Sequence, residues 1–174
     1  MRNNKGITLI SLTIMIIVLV ILATMTMYYG NSIISEAKIQ DLKTNMLLIE
    51  ASVKGNLEQY NFEVQSINLQ DTAAVEELKG KYLIGHKISD NPDIEEQFNN
   101  LGVQEYGYEY YYLDTETLAS LGLNDVQSDE ESGYYIVGYT TDLDTEDEEY
   151  TSNIQVINTK GYQNNYTLDS IENI

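Results

Sequence analysis

Residues 5–30 read KGITLISLTIMIIVLVILATMTMYYG, and the reading of this stretch decides the architecture of everything after it. From Ile7 to Tyr29 there is no charged residue and no proline. A helix rises about 1.5 Å per residue, so about 20 apolar residues cross the hydrocarbon core of a bilayer, and this run suffices. A secretory signal has an apolar region of about 7–15 residues followed by a small-residue cleavage site. The run here is longer, and Met27-Tyr28-Tyr29-Gly30 is a poor site of that kind. Arg2 and Lys5 precede it, while the first charge beyond it is Glu36. The positive-inside rule then puts the N-terminus in the cytoplasm and the chain after Gly30 outside. A retained transmembrane helix in a single-pass cell membrane protein is the expectation.

The polar stretch ends abruptly at Lys5-Gly6, and Ile7-Thr8-Leu9-Ile10-Ser11 follows with no transition. In these residues the chain resembles the type IV pilin and type II secretion pseudopilin superfamily, in its Gram-positive, clostridial-type version. Precursors of that family carry a short basic leader ending in glycine, then an apolar residue, Thr-Leu-Ile and a long apolar helix. The resemblance implies that a membrane-embedded prepilin peptidase cuts between Gly6 and Ile7 and methylates the new amine of Ile7. Thr8, Leu9, Ile10 and Ser11 would form the assembly motif. Glycine suits such a site, because its backbone lies extended and close to a protease at little cost. The competing reading is a plain signal anchor; leader length, Lys5, Gly6, the Thr-Leu-Ile string and the run length together favour the pilin motif.

Most members of the family have glutamate at the fifth mature position, where this chain has Ser11. In filaments that glutamate neutralises a neighbour's terminal amine among apolar groups, where an unpaired charge is costly. A serine hydroxyl accepts a hydrogen bond from an ammonium without cancelling its charge. Two readings stand: a minor or tip subunit that pairs with no predecessor, or a lineage that uses small residues here.

Beyond the apolar run, Ile39, Leu42, Met46, Ile49, Val53, Leu57 and Tyr60 recur at spacings of three or four and make one apolar face. Glu36, Lys38, Asp41, Lys43, Glu50 and Lys54 occupy the other side. Such a stripe is normally packed against something, and the family's fold supplies an antiparallel sheet as the partner.

The remaining segments are short. Asp71 opens a helix closed by Lys79-Gly80, and Asn91-Pro92-Asp93 opens another with proline at its first position. Tyr106, Tyr108, Tyr110 and Tyr112 alternate onto one face of a strand; Asp114 caps a short helix ending at Leu121-Gly122. Residues 133–140 and 154–159 read as further strands, with Tyr166-Thr167-Leu168 closing the sheet. Expected divisions are a leader at 1–6, an apolar assembly half-helix at 7–30, an amphipathic half at 31–60 and an extracellular globular domain at 61–174. The expected class is α+β, a long N-terminal transmembrane and amphipathic helix packed on a small antiparallel sheet, as in pilins.

The formal net charge is −19, and there is no cysteine, so no disulfide braces the domain. After Ile88 there are twenty aspartates and glutamates against the single Lys160. Direct nucleic-acid binding is not expected, because phosphate contacts need lysine and arginine. Within the densest acidic stretch, Asp142, Asp144 and Glu146 have the alternate spacing by which a loop turns oxygens onto calcium, although Asp147 and Asn153 stand where an EF-hand has glycine and glutamate. An ordinary solvated loop is the competing reading. No other cofactor is expected. Enzyme signatures are missing: His86 is the only histidine, and neither a nucleophile elbow nor a phosphate loop occurs.

These readings converge on a pilin-like subunit, processed by prepilin peptidase and assembled through its N-terminal helix into a pilus or pseudopilus at the cell surface. The resemblance implies other pilin or pseudopilin subunits, a membrane platform protein and the lipid bilayer as partners. Adhesion, motility, secretion and DNA uptake all remain open at this point. The alternative is a monomeric single-pass protein displaying an acidic binding domain outside the cell.

Overall fold

Helix α1 (Lys5–Val64) runs through both compact units into which the chain divides, Met1–Gln40 and Asp41–Ile174. The computed structural model describes residues 5–140 and 153–174, and of residues 5–11 and 25–35 only the backbone. In the first unit every described side chain from Leu12 to Thr24 is exposed. In the second unit Met46, Ile49, Val53, Leu57, Tyr60 and Val64 are buried at spacings of three or four. The stripe read from the sequence is thus a covered face, and it runs one turn further than expected, to Val64. Gly30 and Gly55 both lie inside the helix.

The expected transmembrane helix is not found. Among the described residues no helix is long and apolar enough to cross a membrane. The apolar stretch with described side chains, residues 12–24, gives about 20 Å of helix, against about 30 Å of bilayer hydrocarbon. Nor is α1 apolar along its length, since Glu36, Lys38, Asp41, Lys43, Glu50, Lys54 and Glu58 follow on the same helix.

The rest of the second unit makes the class α+β. Its elements are α2 (Thr72–Tyr82), β1 (His86–Lys87), a 3-10 turn (Ile88–Asp90), α3 (Pro92–Leu101), β2 (Tyr108–Leu113), α4 (Thr115–Ser120), β3 (Tyr135–Thr140), β4 (Ile154–Tyr162), β5 (Asn165–Thr167) and α5 (Leu168–Glu172). The five strands form one sheet in the order β1-β2-β3-β4-β5, antiparallel at every step. Side chains alternate between the faces. One face carries Tyr110, Tyr112, Ile136 and Ile157, packed with Ile88, Ile94 and Phe98 of the 3-10 turn and α3. The other carries Tyr111, Leu113, Tyr135, Val137, Tyr139 and Val156, all buried. Asn45 Nδ2 of α1 donates to the Tyr135 hydroxyl at 3.4 Å, which ties the amphipathic half of α1 to this second face. With helices on both sides, Tyr135–Tyr139 of the central strand β3 are buried without a break.

Local chemistry sets the element ends. Asp71, Asn91 and Asp114 each cap a helix, their carboxylate or amide oxygens accepting from backbone N–H groups two or three residues on. Pro92 occupies the first turn of α3, where its missing N–H costs nothing. The alternating tyrosines need one correction: β2 starts at Tyr108, and Tyr106 is fully exposed. Gly107 takes φ +84° there, so the pleat does not extend back to Tyr106. Gly138 leaves room on β3 for the Tyr108 and Tyr110 rings, which stack at 6.0 Å and 20°. A Cβ on Gly138 would lie 2.6 Å from Tyr110 Cε1.

Strands β4 and β5 meet in a tight hairpin whose central residues, Gln163 and Asn164, both have positive φ, the requirement of a type I′ turn. The register shifts between the pairs Ile157↔Thr167 and Tyr162↔Asn165, so β4 bulges. Asn158 plugs the bulge: its Oδ1 accepts from the N–H groups of Lys160 (3.0 Å) and Gly161 (2.9 Å).

Candidate functional site

Among the described residues, 12–24 of α1 form a continuous exposed apolar segment. Ten large apolar side chains, Leu12, Ile14 to Leu22, are 47–61% exposed. They lie on every side of the helix, so no single face of this chain could cover them. Eight of the thirteen residues are β-branched, which lowers helix propensity in water. The hydroxyl of Thr24 donates to the carbonyls of Val20 (3.0 Å) and Ile21 (2.9 Å), so it is satisfied within the helix and apolar contact costs it nothing. Fully burying a Leu, Ile or Val stabilises by roughly 1.5–3 kcal/mol; ten that are already half-covered would contribute roughly 8–15 kcal/mol. A like segment on a neighbour doubles that, against roughly 4–15 kcal/mol lost on association. Covering this segment would therefore release free energy of the same order as the cost of an association.

The sequence-derived processing residues sit at the start of the same helix. The Gly6–Ile7 peptide lies within the first turn of α1, and Thr8, Leu9, Ile10 and Ser11 continue it. The extended backbone expected of glycine is not what is found. The first four N–H groups of any helix lack intrahelical partners, so this turn opens more easily than the rest. Asp142, Asp144 and Glu146 lie outside the described residues. Among the described residues no group of three or more histidines, cysteines or acids is placed to hold a metal.

His86 stands at the sheet edge with its Nε2 3.3 Å from Asp114 Oδ2 and its ring 5.2 Å from that of Tyr112. Burial opposes ionisation of Asp114, yet bonds from Thr117 and the nearby His86 hold its carboxyl below the usual range. Asp114 is thereby fixed as the cap of α4, and the pair is structural. Lysines anchor α2 in the same way. Lys79 bonds Glu109 of β2 and Glu76; Lys87 bonds Glu76 at 2.9 Å; Lys81 bonds Glu63 of α1 at 3.2 Å. The Tyr82 hydroxyl and Lys81 both hydrogen-bond Glu63 and lower its pKa.

Sequence reasoning missed a cleft of about 500 Å³ beside β2, between Lys87–Ser89 and the end of α3. No local pattern marks it: Gly138, where the Tyr108 and Tyr110 rings approach β3, does not line it. No family model, curated protein or solved structure matches this chain.

Proposed function

We propose that the chain is a type IV pilin-like subunit, cut by prepilin peptidase between Gly6 and Ile7, methylated on Ile7 and assembled through its N-terminal helix into a filament displayed outside the cell. The observation that carries the reading is the helix from Leu12 to Thr24: uncharged, exposed at every described side chain and apolar all round. The Lys5-Gly6-Ile7-Thr8-Leu9-Ile10 string immediately before it supports the processing step. In this reading the helix is an assembly element whose partners are the same segments of neighbouring subunits. It does not require the helix to cross a bilayer. The Asp41–Ile174 unit has its own core and would be carried on the filament as a folded body.

Ile17→Asp tests the proposal. A carboxylate among packed apolar helices, with no partner prepared for it, costs several kcal/mol. The amount of the variant in sheared, purified filaments should fall at least about tenfold relative to wild type. Incorporation equal to wild type would contradict assembly through this segment.

A further inference from the structure

Helix α2 is held to the rest of the second unit by charge more than by burial. Over residues 72–81 no side chain is buried; Ala74, Val75, Leu78 and Lys79 are half-buried, and the others are exposed. Burial begins only at Tyr82 and Leu83. There the Tyr139 hydroxyl donates to Ile84 O at 3.0 Å, which pins the C-terminal end of α2 to β3. At the other end, residues 65–71 connect α1 to α2, and all of them but Ile67 are exposed.

Three ion pairs tie α2 down, each to a different element. Lys79 reaches Glu109 of β2, Lys81 reaches Glu63 of α1 at 3.2 Å, and Glu76 holds Lys87 of β1 at 2.9 Å. Lys79 is well covered, with 12% of its side chain exposed, but every member of the other two pairs is 33–57% exposed. Exposed pairs are weak to begin with. They weaken further as the Debye length falls from about 10 Å at 0.1 M salt to about 3 Å at 1 M.

The helix is also weak by itself. Its 11 residues fall short of the about 12–15 at which an isolated helix becomes even marginal in water. Gly80 lies inside it, where glycine loses more backbone freedom than any other residue. Space does not call for that glycine, since a Cβ there would meet nothing within 4 Å. The charges of Lys79 and Glu76 act on the buried Tyr60 phenol, and that of Glu76 acts on Tyr111 as well, so these two rings lie on the side that α2 faces.

We propose that residues 65–81 form a strap, pinned at Tyr82-Leu83, that opens as one piece while α1 and the sheet stay folded, and that ionic strength sets how often it opens. Segments with few buried apolar contacts open locally at far less cost than global unfolding. Low salt holds the strap shut through its three ion pairs. High salt releases it, parting Lys79 from Glu109 and bringing water to the Tyr60 and Tyr111 side of the core. The device is independent of filament assembly and stands or falls separately from it.

Hydrogen exchange read by mass spectrometry on the full chain, in a non-ionic detergent at neutral pH, is the test. The helical amides of residues 75–82 should exchange at least about a hundredfold faster than those of β3. They should speed up about fivefold again when sodium chloride rises from about 0.05 M to about 1 M. Exchange in β3 should not respond, and it reports in every variant that the fold is kept. Glu63→Gln leaves an acceptor for the Tyr82 hydroxyl but removes the charge that Lys81 meets. It should speed exchange over 75–82 about threefold at low salt and reduce the salt response. Gly80→Ala should slow that exchange about fivefold. Exchange over 75–82 at the rate of β3 would show that α2 unfolds only with the core and would overturn the proposal. So would exchange that ignores salt, or that Gly80→Ala leaves unchanged.

Discussion

Asn158 is 1% exposed, and each part of its amide has a partner: Oδ1 serves two backbone N–H groups of the β4 bulge, and Nδ2 donates to Gly133 O at 3.4 Å. Asn158→Ala removes the acceptor and leaves both N–H groups without it. A buried donor left unsatisfied costs about 1–3 kcal/mol. The substitution should therefore destabilise the Asp41–Ile174 unit by roughly 2–4 kcal/mol in urea unfolding. A loss below about 1 kcal/mol would show that water serves these groups as well. The role was not legible in the sequence. The alternation of Ile154 to Thr159 announces a strand, but the bulge exists only in the register between that strand and β5, and nothing local marks Asn158 as its plug.

At the scale of elements, α1 joins two segments with opposite requirements. Leu57 lies in the stripe covered within this chain, whereas Ile17 lies in the segment its own unit leaves exposed. Leu57→Ala should cost about 2–5 kcal/mol in the unfolding of the Asp41–Ile174 unit, by lost transfer energy and the cavity left behind. Ile17→Ala should leave that transition unchanged within about 0.5 kcal/mol. Comparable losses from both would mean that the apolar segment is part of the same cooperative core. The helices were legible because capping is local: Asp71, Asn91-Pro92 and Asp114 announce themselves within a few residues. A two-residue strand such as β1 has no period to read, and α5 is too short to show one. The transmembrane reading failed for a physical reason as well. Hydropathy reports that a surface avoids water, and it reads alike whether lipid or another helix supplies the cover.

Across the whole molecule, titration should report how the tyrosines are packed. Burial, the largest cause in each case, raises the pKa of Tyr60, Tyr108, Tyr110, Tyr111, Tyr135 and Tyr139 above the ordinary value of 10.0. A raised phenol contributes stability that is intact below the unfolded-state pKa and lost as pH rises through the folded one. The melting temperature should therefore hold up to about pH 10 and fall beyond it, with these phenols ionising together with unfolding. Tyrosinate absorbance followed beside circular dichroism checks this; full ionisation with the fold intact would contradict it. The carboxyls shift the other way. The Lys87 bond lowers Glu76, and Asp114 is lowered against its own burial by the Thr117 and His86 contacts. Their contribution is present above the ordinary carboxyl range and lost as pH falls through the depressed values.

The central claim is that this chain is made as a precursor and enters a filament by its N-terminal helix, and the mass of the assembled subunit tests it most directly. Intact-mass spectrometry of the protein from sheared filaments should give a chain beginning at Ile7 with one added methyl group. Gly6→Val should leave the precursor uncut, because a β-branched side chain cannot follow glycine's close approach to a protease. A subunit that still carries residues 1–6 in cells with active prepilin peptidase would contradict the account.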